Sequence, residues 1–114
     1  MSAITTHILD VSSGRPASGV SIWLERLTDE GAWQELGRGR TDEDGRLKDL
    51  STAETPLLAG TYRLTFETGA YFETMGLQSF YPQVTVTFVI TDAAQHYHVP
   101  LLLSPYGFTT YRGS

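Results

Sequence analysis

Apolar and polar residues alternate along most of the chain with a period of two, and clusters of Gly, Pro, Asp and Ser interrupt the alternation at short intervals. This pattern is typical of a β-sandwich or barrel, in which short strands are joined by tight turns. The sequence therefore predicts an all-β fold. The predicted strands cover residues 4–11, 20–27, 33–40, 61–68, 84–90, 97–103 and 108–112, with a short piece near Leu47.

One segment departs from the period of two. Tyr71, Phe72, Met75 and Leu77 are spaced as on one face of a helix, so the sequence predicts a two-turn helix over 70–77. The whole chain, residues 1–114, is interpreted as one domain, because 114 residues suffice for a single hydrophobic core.

The alternation also assigns residues to faces of the predicted strands. Three strands carry an apolar face and a second face that mixes apolar residues with His or Tyr. Tyr97, Val99, Leu101 and Leu103 form the apolar, core-facing side of the penultimate strand. The mixed faces are Thr5, His7, Leu9 and Val11; His96, His98, Pro100 and Leu102; and Thr109, Tyr111 and Gly113. Strands with two such faces indicate a sheet whose outer side is covered by another subunit.

Charge and composition exclude several classes of function. The net charge is −5 and Lys48 is the only lysine, so no basic patch is expected and nucleic acid is not an expected partner. The chain has no cysteine, which removes disulfides, thiolate catalysis and Cys-ligated metals. No apolar run is long enough to span a bilayer and no signal peptide is evident, so we expect a cytoplasmic protein that does not bind membranes.

His96 and His98 lie two residues apart, which places them side by side on one face of a strand. Such a pair is surface decoration, half of a metal site, or a general base with a helper. A zinc site needs a third ligand, and only a chance of folding would bring His7, Asp10 or Glu67 close enough to supply it. We therefore expect no metal.

Three further residues have two readings each. His7 is either a half-buried strand histidine bonded to a carbonyl or part of a catalytic pair. Arg46 follows the turn 41–45 and is either solvated or directed toward an anion. Ser114 lacks the Gly-x-Ser-x-Gly elbow of a nucleophile, so a hydroxyl and carboxylate that orient a histidine are the more economical role.

Four segments, covering nearly the entire chain, resemble the transthyretin-related family. They are Thr6-His7-Ile8-Leu9-Asp10 with Gly14-Arg15-Pro16-Ala17; Gly39-Arg40-Thr41-Asp42-Glu43-Asp44-Gly45-Arg46; Phe80-Tyr81-Pro82; and His96-Tyr97-His98-Val99-Pro100-Leu101-Leu102-Leu103-Ser104-Pro105-Tyr106-Gly107 through Tyr111-Arg112-Gly113-Ser114. The last is highly specific. The resemblance implies a transthyretin-like (prealbumin-like) sandwich of seven to eight strands with one short helix. It also implies a homotetramer, built as a dimer of dimers, with substrate sites in the channel between dimers.

The same resemblance implies an activity. Enzymes of the family hydrolyse 5-hydroxyisourate to 2-oxo-4-hydroxy-4-carboxy-5-ureidoimidazoline in urate breakdown, without a cofactor. Carried over to this chain, His7 and His98 would handle water and protons, Arg46 would hold the anionic substrate and stabilise developing charge, Tyr111 would contact substrate, and Ser114 would orient a histidine. The family also contains a non-catalytic ligand carrier, which has lysine, glutamate and threonine where this chain has His7, Arg46 and His98. The enzyme is therefore expected, with the carrier as the alternative.

Overall fold

The computed structural model describes residues 3–50 and 57–114, and within them the chain forms nine β-strands and one α-helix. The all-β class predicted from the alternation is confirmed. The strands are β1 (Ile4–Asp10), β2 (Arg15–Pro16), β3 (Ser21–Leu27), β4 (Trp33–Arg40), β5 (Arg46–Leu47), β6 (Gly60–Phe66), β7 (Val84–Ile90), β8 (Tyr97–Ser104) and β9 (Gly107–Thr110), and the helix α1 is Thr68–Glu73.

The strands form two sheets. The five-stranded sheet has the order β2-β1-β8-β9, with β5 also paired to β1, and the four-stranded sheet has the order β4-β3-β6-β7. Strands β1 and β8 run parallel, whereas the other pairs are antiparallel. Because β1 and β8 come from opposite ends of the chain, this one parallel pairing brings the beginning and the end of the sequence together.

The core lies between the two sheets and is built from the alternate residues of their strands. As predicted, Tyr97, Val99, Leu101 and Leu103 of β8 point inward, and each is at most 6% exposed. Fully buried partners come from the other strands of both sheets. They include Ile4 and Ile8 of β1, Ile22 and Leu24 of β3, and Tyr62, Leu64 and Phe66 of β6.

The helix begins and ends earlier than predicted. It covers Thr68–Glu73, not 70–77, because Gly76 adopts a φ of +69° and closes the helix. The Gly76 N–H donates to the Glu73 carbonyl and the Leu77 N–H to the Phe72 carbonyl, both at 3.0 Å, which is a Schellman-type end. Leu77 therefore lies beyond the helix and is exposed.

The strand count also exceeds the seven to eight expected. The additional strand is β2, whose two residues pair with the end of β1 after a tight turn. At the other end of the chain, β9 stops at Thr110, so Tyr111 and Arg112 follow the strand and do not belong to it. His96 likewise precedes the first residue of β8.

Three pairings determine what meets on the outer face of the five-stranded sheet. In the parallel ladder Thr5 lies opposite His98, and in the β1–β5 ladder His7 lies opposite Arg46. The segment after β9 then returns to β8, where the Gly113 N–H donates to the His98 carbonyl at 2.8 Å. Four separate segments of the sequence thus converge on one surface.

Candidate active site

The turn before β5 positions Arg46. The Asp42 carboxylate accepts the backbone N–H of Arg46 at 3.0 Å, and the Asp42 N–H donates to the Arg46 carbonyl at 2.9 Å. Gly45 has a φ of +72°, and a Cβ there would lie 2.4 Å from the Ile8 carbonyl oxygen, so the turn packs directly on β1. The Ile8 N–H also donates to the Gly45 carbonyl at 2.8 Å. The sequence of this turn therefore fixes Arg46 beside His7.

A cavity of about 210 Å³ opens on this outer face. Its walls include Thr5, Arg46, Lys48, His96, His98 and Ser114. Neither Arg46 nor Lys48 forms a salt bridge with a carboxylate of the described residues. These two cations form no salt bridge among the described residues, although the nearby Asp42 carboxylate interacts with both charges, and they make the cavity suitable for an anionic ligand.

The imidazole of His98 is held from two sides. The hydroxyl of Thr5, a residue only 7% exposed, lies 2.8 Å from His98 Nδ1 and 3.0 Å from His96 Nε2. On the other side Gly113 packs so closely that an added Cβ would lie 2.6 Å from His98 Cδ2. The ring therefore has a defined orientation before any ligand arrives, which is a requirement for efficient proton transfer.

Burial lowers the pKa of His98 from its ordinary value of 6.5, and the nearby charges of Arg46, His7 and His96 lower it further. Burial disfavours the charged imidazolium, and positive neighbours repel it. The neutral ring therefore predominates at pH 7, and its free nitrogen can accept a proton. Such a ring beside unpaired cations can serve as a general base for attack on an anionic substrate.

The structure brings together most of the residues that the sequence nominated. His98, Arg46 and Ser114 line the same cavity. His7 is half-buried, follows Thr5 on the same face of β1, and is close enough for its charge to act on His98. Tyr111 instead lines a neighbouring cavity of about 300 Å³ beside β7, and His98 contributes to both cavities.

Sequence reasoning missed two residues of the cavity and undervalued a third. Thr5 was assigned to the mixed face of the first strand but given no role, and Lys48 was considered only as part of the net charge. His96, which the resemblance left out of the catalytic set, lines the cavity and contacts Thr5. The pairing of β1 with β8 is the signal that connects Thr5 to the histidines, and it is not visible in local sequence.

If His96 and His98 were half of a metal site, a third ligand would have to lie near them. Residues 3–50 and 57–114 contain no group of three His, Cys, Asp or Glu side chains able to hold a metal ion. Asp10, one possible third ligand, is buried and accepts hydrogen bonds from Ser12 Oγ at 2.5 Å and Tyr71 OH at 2.9 Å. These bonds commit Asp10 to the packing of α1 against β1.

No helix in the described part of the chain is long and apolar enough to cross a membrane.

Fold and site together define a class: a two-sheet β-sandwich that presents histidines and an arginine on the outer face of one sheet. The model of the HIUase/Transthyretin family matches residues 4–113. The chain belongs to this family. The family resemblance that the sequence motifs indicated is therefore confirmed, as is the transthyretin-like architecture.

The similar proteins include both 5-hydroxyisourate hydrolases and a transthyretin. A 5-hydroxyisourate hydrolase of Salmonella dublin is 50% identical over 111 residues, which cover 97% of this chain and 80% of the relative. The structure of Klebsiella pneumoniae 5-hydroxyisourate hydrolase superposes with a TM-score of 0.83 at 42% identity, covering 97% of this chain and 98% of that one. Sea bream transthyretin in complex with thyroxine superposes with a TM-score of 0.92 at 33% identity, covering 98% and 95%.

Proposed function

We propose that this protein is a 5-hydroxyisourate hydrolase, which converts 5-hydroxyisourate to 2-oxo-4-hydroxy-4-carboxy-5-ureidoimidazoline in cytoplasmic urate breakdown. The observation that carries the proposal is the single cavity in which His98, Arg46 and Ser114 meet. The 50% identity to a 5-hydroxyisourate hydrolase over nearly the whole chain supports the same activity. The reaction is the addition of water to a ring carbonyl, followed by cleavage of the adjacent amide-like C–N bond.

Arg46 binds the anionic substrate in this proposal. Its guanidinium can donate two parallel hydrogen bonds to the substrate, and it stabilises the negative charge that develops on the attacked carbonyl oxygen. One well-directed donor of this kind is worth on the order of 3 kcal/mol. Lys48, in the same cavity, adds a second positive charge that attracts the anion.

The two histidines divide the proton transfers. His98, with its lowered pKa, accepts a proton from the attacking water, whose oxygen then bonds to the carbonyl carbon. As the C–N bond breaks, His7 supplies a proton to the leaving nitrogen. Ser114, in the same cavity as His98, orients a histidine, and Tyr111 contacts the substrate from the neighbouring cavity. His98 then releases its gained proton and His7 takes up a proton by exchange with solvent, so the reaction balances without a cofactor.

The proposal includes a homotetramer, a dimer of dimers. On one protomer the cavity lies open on the outer face of the five-stranded sheet, and Phe80, Tyr106 and Phe108 are exposed elsewhere on the surface. A second dimer facing the cavity would exclude water and convert it into a channel. Light scattering should give four times the 12.6 kDa of one chain, and a monomer at micromolar concentration would contradict this part of the proposal.

A ligand carrier of transthyretin type is the second candidate, favoured by the higher TM-score of the sea bream transthyretin structure. A shared fold does not determine function, since function depends on the side chains of the site. Identity to the hydrolases is higher, and the cavity holds titratable side chains. The hydrolase therefore remains the better reading.

One assay separates the two candidates. Urate oxidase generates fresh 5-hydroxyisourate in the cuvette, and the decay of its absorbance is followed with and without this protein. A hydrolase accelerates the decay catalytically, in proportion to enzyme concentration and also after treatment with a chelator. Stoichiometric binding of aromatic ligands with no acceleration of the decay would favour the carrier.

A further inference from the structure

The hydroxyl of Thr5 lies between two imidazoles, 2.8 Å from His98 Nδ1 and 3.0 Å from His96 Nε2. A hydroxyl has one hydrogen to donate and lone pairs with which to accept. Thr5 can therefore donate to only one of these ring nitrogens, and the other ring must donate to Thr5 for both contacts to be hydrogen bonds. When both rings are neutral, the tautomer of one histidine consequently determines the tautomer of the other.

We propose that Thr5 is a positioning residue that sets the tautomer of His98, with His96 as the acceptor at the far end. In this arrangement His98 Nδ1–H donates to Thr5 Oγ1, and the Thr5 hydroxyl donates to His96 Nε2. His98 Nε2 then carries a lone pair and can accept a proton from water. The proposal rests on the proposed function, because it assigns the orientation that a general base requires.

The opposite orientation has a different chemical consequence. If His96 Nε2–H donated to Thr5 and Thr5 donated to His98 Nδ1, the proton of His98 would lie on Nε2. His98 would then be a hydrogen-bond donor and not a base. The orientation of the Thr5 hydroxyl therefore decides between two functions of the same ring. The carboxylate of a Ser-His-Asp triad can only accept a hydrogen bond, whereas the Thr5 hydroxyl transmits the tautomer of His96 to His98.

The tautomer of His98 depends on its contact with Thr5. Among the described residues, Thr5 is the side chain that forms a hydrogen bond with the His98 ring. Gly113 lies against the Cδ2 edge of the ring, where an added Cβ would be 2.6 Å away, and it has no side chain that could bond to the ring. Thr5 lies directly opposite His98 in the parallel ladder and is buried, so solvent does not readily replace the hydroxyl. The tautomer of His98 is therefore determined through the side chain of Thr5.

Two substitutions separate the hydroxyl from the shape of Thr5. Thr5→Val keeps the branched shape and removes the hydroxyl, and it should lower kcat by about tenfold or more while KM changes less than about twofold. Thr5→Ser keeps the hydroxyl and should retain kcat within about threefold. Thr65→Val is the matched control, since Thr65 is buried and its hydroxyl contacts Thr85 on the other sheet. Its kcat should match that of the wild type within about twofold.

The kinetic result has a clear contrary outcome. If Thr5→Ser loses as much kcat as Thr5→Val, packing and not the hydroxyl is responsible, and the proposal is overturned. It is equally overturned if Thr5→Val retains wild-type kcat. Thermal unfolding of each variant establishes that the folded protein is being compared.

The tautomer itself is measured by long-range nitrogen–proton NMR on ¹⁵N-histidine-labelled protein, above the pKa of His98. The wild type should show His98 protonated at Nδ1 and His96 unprotonated at Nε2, and Thr5→Val should lose the preference in His98. A wild-type His98 protonated at Nε2 would overturn the proposal. This measurement needs no substrate and no variant, so it decides the question even if Thr5→Val does not fold. It also distinguishes failure of the tautomer assignment from failure of the hydrolase activity.

Discussion

The outer faces of the two sheets use charged residues in opposite ways. On the four-stranded sheet, Arg63 Nε donates to Glu25 at 2.6 Å, and the Arg63 guanidinium lies 4.1 Å from the Trp33 ring. On the same sheet Arg38 pairs with Glu35 and lies over Trp23 at 5.8 Å. Each of these arginines has both a carboxylate and an aromatic partner. The charges of these two arginines are therefore neutralised within the same face.

On the outer face of the five-stranded sheet, the two cations at the cavity form no salt bridges among the described residues, and we call this surface around Arg46 and Lys48 the open face. Arg46 and Lys48 border the cavity without a salt bridge to any described carboxylate, and the histidines beside them bond to the uncharged Thr5. Burial there also disfavours the charged form of His98. The result is a partly desolvated cavity in which Arg46 and Lys48 form no salt bridge to a described side chain.

The contrast shows that the same strand geometry serves two purposes. Pairing arginine with glutamate and tryptophan stabilises a surface modestly and leaves nothing for a ligand. Unpaired cations next to a neutral imidazole contribute little to stability, because their interactions await a substrate. Arg46 differs from Arg38 and Arg63 in forming no salt bridge among the described residues, and its place beside the histidines makes it the candidate catalytic arginine.

The largest expected effects come from reversing or removing charge on the open face. Arg46→Glu and His7→Asn should each lower kcat/KM by about a hundredfold or more, which corresponds to roughly 2.7 kcal/mol of transition-state stabilisation. The melting temperature should hardly change, because neither side chain belongs to the core. Steady-state kinetics and calorimetry on the same preparations check both statements. Unfolding of both variants would show that these residues support the scaffold.

Gly113 provides a smaller and more local test of the open face. In Gly113→Ala the new Cβ would lie 2.6 Å from His98 Cδ2, so the ring or the C-terminal segment must shift. We expect a loss of about tenfold in kcat/KM with the fold intact. Gly107→Ala is a suitable control, since Gly107, like Gly113, has no left-handed φ and its added Cβ would meet only Ser104 Oγ, at an ordinary 3.7 Å. Full activity in Gly113→Ala would contradict the close packing described here.

The pH profile follows from the direction of the pKa shift of His98. Protonation removes its capacity to accept a proton, so kcat/KM should fall as the pH falls through this pKa. Because burial and the charges of Arg46, His7 and His96 lower that pKa, the acid limb should have its midpoint below 6.5. His96→Asn removes one of those charges and should move the midpoint upward. A wild-type midpoint above 6.5 would contradict the assignment of His98 as the base.

The smallest effect is expected on the outer face of the four-stranded sheet, where Arg38 and Arg63 are paired with glutamates. Glu25→Gln removes the charge that Arg63 pairs with and should lower the free energy of unfolding by about 1 kcal/mol or less. Turnover should stay within about twofold of the wild type, because this residue lies on the opposite side of the sandwich. Urea denaturation and the hydrolysis assay measure the two quantities. A large loss of activity without destabilisation would contradict the claim that only the outer face of the five-stranded sheet takes part in catalysis.

Local sequence predicted the strands because burial on one face imposes a period of two, and the predicted segments 33–40 and 84–90 coincide with β4 and β7. It misplaced the helix end because Gly76 adopts a left-handed conformation that periodicity does not reveal. The role of Thr5 was not predicted, for a different reason. Its contact with His98 joins residues 93 positions apart and depends on the parallel pairing of β1 with β8. Motif resemblance nominated His7, Arg46 and His98, but their shared geometry required the fold.

The most direct measurement compares two histidines that both contact Thr5. His98→Asn should lower kcat/KM for 5-hydroxyisourate by about a hundredfold or more, because it removes the ring that accepts the proton. His96→Asn should lower it by less than about tenfold, because His96 lines the cavity and bonds to Thr5 but does not accept the proton. Equal losses in the two variants would contradict the account, since the two rings would then share the role assigned here to His98 alone.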